Sequence, residues 1–265
     1  MPTEESSFSQ LILSAILGSG ITLLLKHLFE HHIQYHLHNR RSTDRLIKQT
    51  AKPLLNDGYK LERRINNFIR NIDKNWHQSS EYYRLTTNVT FYQYFSRLYT
   101  LDRQMSYLEH TNHKETNEFN KQIRKVYFTL SSMKLFEGVD GLYEDKIGLR
   151  RETITALGEL MTICDDATCR PMTIVEFQKE KPTENVVVKM WEDEFETFLR
   201  STSDQGKNAI FNKDRLIMLG KALHELNLYL DKSRIIVRNN TASNMDLIVH
   251  EKVKENYDEN FPSPV

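Results

Sequence analysis

Glycine and proline are scarce, with nine and six residues in a chain of 265, about half the usual share of each. The few glycines are scattered, and none opens a Gly-Lys-Ser/Thr triplet, so a phosphate-binding loop is excluded. A G-x-S-x-G nucleophile turn is missing, as is an H-E-x-x-H pair: His224-Glu225 has Leu228 where the second histidine would stand. Only two cysteines occur, Cys164 and Cys169. A structural zinc site needs four ligands, and no second pair or nearby histidine completes one. The expectation is a reduced pair, with no metal and no cofactor. Strand candidates are few, which favours a mainly helical chain.

Net charge is missing too. Thirty-six basic residues balance thirty-six acidic ones, so no global field calls for nucleic acid, and no nucleic-acid partner is expected. The balance is uneven along the chain. Lys26 to Asn75 holds eleven Lys or Arg against five Asp or Glu.

Long apolar runs are absent with one exception. Ser6 to Leu25, SSFSQLILSAILGSGITLLL, carries no formal charge and is bounded by Glu5 and Lys26. Twenty residues at ~1.5 Å each cover ~30 Å, the depth of a hydrocarbon core. The competing readings are a buried helix and a cleaved signal peptide, but Glu4 and Glu5 occupy the region where a signal peptide is basic. The segment is expected to be a single membrane-spanning helix. Acidic residues precede it and basic ones follow, so the positive-inside rule puts the N-terminus outside and the remainder in the cytoplasm, at a cell inner membrane. Within the span, Ser14, Gly18 and Thr22 are spaced by four, a small-residue ladder that lets helices approach closely in lipid. That ladder implies a homo-oligomer. Beyond the span, His27, His31, His32, His36 and His38 crowd a basic flank. Histidine has an apolar body and a polar edge, which suits the membrane interface, while proton sensing and metal binding are the sharper alternatives.

Four regions follow: 1–25 as N-terminus and anchor, 26–50 as a basic, His-rich juxtamembrane segment, 51–232 as an α-helical cytosolic domain, and 233–265 as a flexible polar tail. In the third, Leu54, Leu61, Ile65, Phe68, Ile72 and Trp76 recur at helical spacing, with Lys60, Arg63, Arg64 and Arg70 on other faces. Glu81–His110 is rich in aromatics but free of turn residues, and helix is preferred to strand. Glu115–Phe136 and Ile147–Cys164 are expected helices, Asp165–Pro171 a loop, and Met172–Gln178 a strand or helical turn. Trp191, Phe195, Phe198 and Leu199 mark another helix. Leu216, Leu219, Leu223, Leu226 and Leu230 form a two-heptad seam suited to a bundle. The fold expected is mainly α: one spanning helix followed by a bundle of about five or six helices.

Two pairs, Arg70/His77 and Arg103/His110, approach the spacing of an Arg and a His that cut RNA in helical ribonucleases of the HEPN type. Seven residues apart, both partners share a helix face. Arg103 and His110 are the better candidates because a long helix carries them, although Arg and His are common enough here for such pairs to arise by chance. Asn88-Val-Thr90 and Asn239-Asn240-Thr241 match the glycosylation triplet and would be inert in a cytosolic domain.

The stretches KPLLNDGYKLERRINNFIR, FYQYFSRLYTLDRQMSYLE, RRETITALGELM, WEDEFETFLR and RLIMLGKALHELNLYLD resemble a bacterial family of unassigned function with one N-terminal transmembrane helix and an α-helical cytoplasmic domain. The resemblance covers about residues 52 to 231 and implies an architecture, not an activity. Three functions are open at this point. One is a membrane-anchored helical interaction protein, without catalysis, that touches the lipid bilayer and docks a cytosolic protein partner. The others are an oligomerising membrane-perturbing effector of the toxin or antiphage kind, and a membrane-tethered HEPN-like ribonuclease.

Overall fold

In the computed structural model the described residues are 51–105, 114–140, 148–165, 168–180, 185–202, 209–231 and 249–262. All belong to one unit, Gln49–Val265. The expected span Ser6–Leu25 and the histidine cluster lie outside the described residues. Among the described residues no helix is long and apolar enough to cross a membrane.

The architecture is mainly α. Helix α1 covers 51–70. A 3-10 turn at Ile72–Lys74 and the short α2 (Trp76–Ser79) lead into α3 (Glu81–Met105). Then come α4 (Lys114–Ser131), a 3-10 turn at Met133–Phe136, and α5 (Arg151–Leu160). The hairpin β1 (Thr162–Cys164) and β2 (Cys169–Pro171) precedes α6 (Ile174–Glu180), α7 (Val186–Ser201), α8 (Ala209–Leu230) and α9 (Glu251–Asn260).

Helix α8 is the axis. Leu216, Leu219, Leu223 and Leu226 of the seam are buried, and so are Ile217, Met218 and Ala222 beside them. A helix apolar on so many sides must be enclosed: α4 and α7 pack on it. α3 pairs with α5 and is buried through Val89, Phe91, Tyr92, Tyr94, Phe95 and Leu98. Thr86 to Tyr94 is therefore helix despite its β-branched content, because the aromatic face has a core to enter. Phe195 of α7 meets Phe91 at 5.2 Å and Tyr92 at 5.1 Å, and Tyr92 meets Phe177 of α6 at 5.9 Å. Each is an edge-to-face pair, the arrangement ring quadrupoles favour.

Arg215 of α8 is fully buried. Its guanidinium donates to the carbonyls of Thr129 and Ser132, at 2.8 and 3.0 Å, where α4 ends. It lies 4.9 Å from the centre of the Phe136 ring. A cation there satisfies carbonyls that the helix leaves free. Burial pulls its pKa down from the ordinary arginine value to about 9. Gly148, at φ +84°, makes room: a Cβ would sit 2.8 Å from the Arg215 Cζ.

Several expectations are corrected. The expected helix Ile147–Cys164 is α5 alone, ending at Leu160, and Thr162–Cys164 is a strand. The reason is the next segment: Thr162 pairs with Pro171, Ile163 with Arg170 and Cys164 with Cys169. That register places the two cysteines opposite one another, and they form a disulfide, not a reduced pair. Asp165 serves the turn, its Oδ1 accepting the Thr168 N–H at 2.7 Å. Met172–Gln178 resolves as α6 from Ile174, capped where the Glu176 carboxylate accepts the Thr173 N–H at 2.8 Å. The tail 233–265 is not uniformly loose. It contains α9, whose Val253 and Tyr257 are buried, and Asn256 donates to the carbonyls of Leu135 and Glu137 at 3.2 and 2.9 Å.

Candidate functional site

Helix α1 divides its residues by charge and burial. Leu54, Leu55, Leu61, Ile65, Phe68 and Ile69 enter the core. The exposed positions of its length are Lys52, Asn56, Lys60, Arg63, Asn67 and Arg70. They are spaced four, four, three, four and three, so they form one line along the helix. Lys74 in the following turn is exposed too. The acids of α1 are turned away from this line. Asp57, nearly buried, accepts from Arg97 Nε of α3 at 2.8 Å and from Lys60 Nζ at 2.9 Å. Glu62, also buried, faces α8.

Lys60, Arg63, Arg64 and Asn67 of α1 border an open groove closed on its other side by Thr90 of α3. At one end, rings and cations alternate. The Arg64 guanidinium stands 5.3 Å from the Tyr83 ring centre, Tyr83 meets Trp76 edge-on at 5.6 Å, and Lys74 Nζ lies 4.8 Å from the Trp76 ring. The Tyr83 hydroxyl donates to Asn67 Oδ1 at 3.3 Å. Burial raises the Tyr83 pKa, against Arg64, which lowers it. The groove and the line of basic residues can hold anionic oxygens. Arg70 and Lys74 extend the same charge to the end of α1 and past it.

His77 sits behind the Trp76 end. It is buried, edge-on to Phe68 at 5.6 Å. Burial lowers its pKa, and a hydrogen bond with Asn88 opposes that shift. Asn88 in turn donates to Glu196 Oε1 at 3.2 Å. His77 is thus a neutral packing residue, and Arg70 points to solvent, so this pair does not converge on a common site. Asn88, nearly buried, is also no glycosylation acceptor. Arg103 lies near the end of α3, its Nη1 donating to the Tyr99 hydroxyl at 3.3 Å. His110, like Ser14, Gly18, Thr22, His27, His31, His32, His36 and His38, lies outside the described residues.

A second polar cluster joins α1 to α8. His224 Nδ1 is 3.0 Å from Glu62 Oε1, and Asn227 Nδ2 donates to Glu62 Oε2 at 2.8 Å. Gly58 permits the approach, since a Cβ there would lie 2.5 Å from Asn227 Oδ1. Tyr59 beside it has its pKa pushed up to about 12 by burial, with Glu62 and Asp231 adding to the effect. A carboxylate-held imidazole is a general-base geometry in principle. Here both Glu62 oxygens are consumed by α8, which makes the cluster an interhelix clamp. Among the described residues no group of three or more His, Cys, Asp or Glu is placed to hold a metal ion.

A third surface feature is apolar. Val186, Val187 and Met190, in the first five residues of α7, are 81%, 49% and 51% exposed. The sequence pattern singled out only the side of this helix that carries Trp191, Phe195, Phe198 and Leu199, and Val186 and Met190 lie off that stripe. Comparison with known protein families, with curated proteins and with solved structures found no match.

Proposed function

We propose that the chain is a membrane-anchored helical interaction module. In this reading Ser6–Leu25 is the anchor, the N-terminus lies outside, and the bundle docks a protein partner in the cytoplasm without catalysing a reaction. The observation that supports docking is the start of α7. Val188, Phe195, Phe198 and Leu199 give that helix its core face, and Asn185 caps it, its Oδ1 accepting the Val187 N–H at 3.0 Å. Val186, Val187 and Met190 are therefore held on an ordered helix and are still left in water. Burying a side chain of this size contributes about 1.5–3 kcal/mol, so three together offer a partner a useful apolar anchor. The Ser14/Gly18/Thr22 ladder adds self-association in the membrane to this reading.

The test is a photo-crosslinking amino acid at Met190, introduced into the full chain in the cells that express it. The reading predicts one discrete adduct that disappears with Val186→Asp and Val187→Asp. Membrane depolarisation without an adduct would shift the assignment to the perturbing effector, and RNA decay abolished by His110→Ala would shift it to the ribonuclease.

A further inference from the structure

We propose that the outer face of α1, Lys52, Lys60, Arg63 and Arg70, lies on the anionic headgroups of a bilayer. This rests on the anchor reading only for its account of why the domain is near a membrane. The face itself is argued from α1.

The six exposed residues of α1 fall on one line. From 52 to 70 that line is ~27 Å long at the α-helical rise. Four of its six side chains are cations, and the other two, Asn56 and Asn67, are neutral hydrogen-bonding groups. In a chain with no net charge, such a line is a local excess. Of the two acids of α1, Glu62 is spent inward on His224 and Asn227, and Asp57 is held inward by Arg97 and reaches the line only through Lys60, so Lys52, Arg63 and Arg70 face no acid of their own helix. Asp73 and Glu81 are the exposed acids near its end, and Lys74 follows Asp73 directly.

A row of cations along the outer face of a single helix fits a plane of charge. Nucleic acid that binds without sequence preference is met by a charged groove with a series of stacking rings. On the line itself no position is aromatic. The exposed aromatics, Trp76 and Tyr82, gather at its C-terminal end, and both are types enriched at membrane–water interfaces. The groove of Lys60, Arg63, Arg64, Asn67 and Thr90 offers guanidinium, ammonium and amide donors to a headgroup phosphate. Each lysine or arginine brought to an anionic leaflet strengthens partition about fivefold, so the four together make a strong but salt-sensitive attachment.

The experiment uses the full chain with Trp191→Phe and Trp76→Tyr, which remove both native tryptophans while keeping an interfacial aromatic at position 76, and Asn56→Trp as a reporter on the line. Vesicles of phosphatidylcholine alone, or mixed with phosphatidylglycerol, carry a headgroup-attached nitroxide quencher. The expected result is quenching at position 56 on the anionic vesicles only. Raised salt relieves it, and Lys60→Glu with Arg63→Glu and Arg70→Glu abolishes it. Lys60→Gln with Arg63→Gln and Arg70→Gln serves as the milder variant should charge reversal unfold the domain, and circular dichroism checks both. Equal quenching on neutral and anionic vesicles, or quenching indifferent to these substitutions, overturns the proposal. So does a response of the same tryptophan to single-stranded RNA that outcompetes anionic vesicles, which would reassign the face to nucleic acid. Co-sedimentation with neutral vesicles reports separately on the anchor. If the chain fails to co-sediment but is still quenched on anionic ones, the anchor reading falls and the α1 proposal stands.

Discussion

Asp57 on α1 accepts a 2.8 Å hydrogen bond from the Arg97 guanidinium on α3, and this pair fixes the rotation of α1 about its own axis. With Asp57 held inward, Asn56, Lys60, Arg63 and Asn67 must face out. The aromatic core on the opposite side enforces the same rotation through Leu61, Ile65 and Phe68. The outward line of cations is thus set by packing from behind.

Removing this pair has a defined cost. Asp57→Ala leaves Arg97 largely buried without its carboxylate, which should destabilise the bundle by about 3 kcal/mol. Arg97→Leu alone should cost less, and the double variant should cost less than the sum, because the two residues share one interaction. Urea denaturation of the full chain in mild detergent, followed by helical circular dichroism, measures all three. Additive losses would mean that the pair does not lock α1.

Stability should respond to pH through two histidines of opposite sign. The hydrogen bond to Glu62 raises the His224 pKa above its ordinary 6.5, and the charge of Glu62 adds to it against desolvation. Its contribution is fully present below pH 6.5 and is lost as pH rises through the raised folded value. Burial lowers the His77 pKa below 6.5. Its neutral form costs nothing above that pH, and stability falls as pH drops from 6.5 through the lowered folded value. Glu62→Gln should therefore remove the loss on the alkaline side, and His77→Phe the loss on the acid side. Denaturation midpoints across about pH 5 to 8 separate the two.

Gly158 sets the distance between α5 and α3. A Cβ there would stand 2.5 Å from the Phe95 carbonyl oxygen and 2.8 Å from its carbon. Both are backbone atoms in the middle of a helix and cannot step aside. Alanine would gain about 1 kcal/mol of helix propensity, but forcing the helices apart costs about 1–3 kcal/mol. Gly158→Ala is expected to lower the melting temperature by several degrees. An unchanged or higher value would show that α5 and α3 have slack.

The disulfide Cys164–Cys169 closes a very short loop, so its entropic contribution is small, about 2 kcal/mol or less. Reduction, or Cys164→Ser with Cys169→Ser, should leave the helical spectrum intact and loosen only the β1–β2 hairpin, seen as faster amide exchange there. The pair also reports on orientation, since a cystine is uncommon in a reducing cytoplasm. Alkylation in intact cells tests this: free thiols would keep the bundle inside, with the facing cysteines closing into the disulfide only on oxidation. A cystine in cells would turn the chain around in the membrane.

The sequence revealed the helices that bury a broad stripe. The α8 seam, the α1 core residues and the Phe195–Phe198–Leu199 face all carry a 3.6 period strong enough to place them. The hairpin was hidden because three-residue strands show no alternation, and only the pairing of Thr162 with Pro171 makes them strands. α9 was hidden because EKVKENYDEN offers just Val253 and Tyr257 as apolar contacts. Its place depends on Asn256 reaching Leu135 and Glu137, far away in sequence. Of the candidate site, the basic residues of α1 were visible as lying off its core stripe, but that only Lys60 among the exposed ones meets an acid of the same helix was not. That required knowing that Asp57 and Glu62 turn inward.

The central claim is that this bundle is tethered to a bilayer by Ser6–Leu25. Carbonate extraction of membranes from cells expressing the full chain tests it most directly. The account predicts that the protein resists extraction and that Leu13→Lys with Leu17→Lys, which put charges into the apolar run, releases it to the supernatant. Release of the unaltered chain by carbonate would contradict the account.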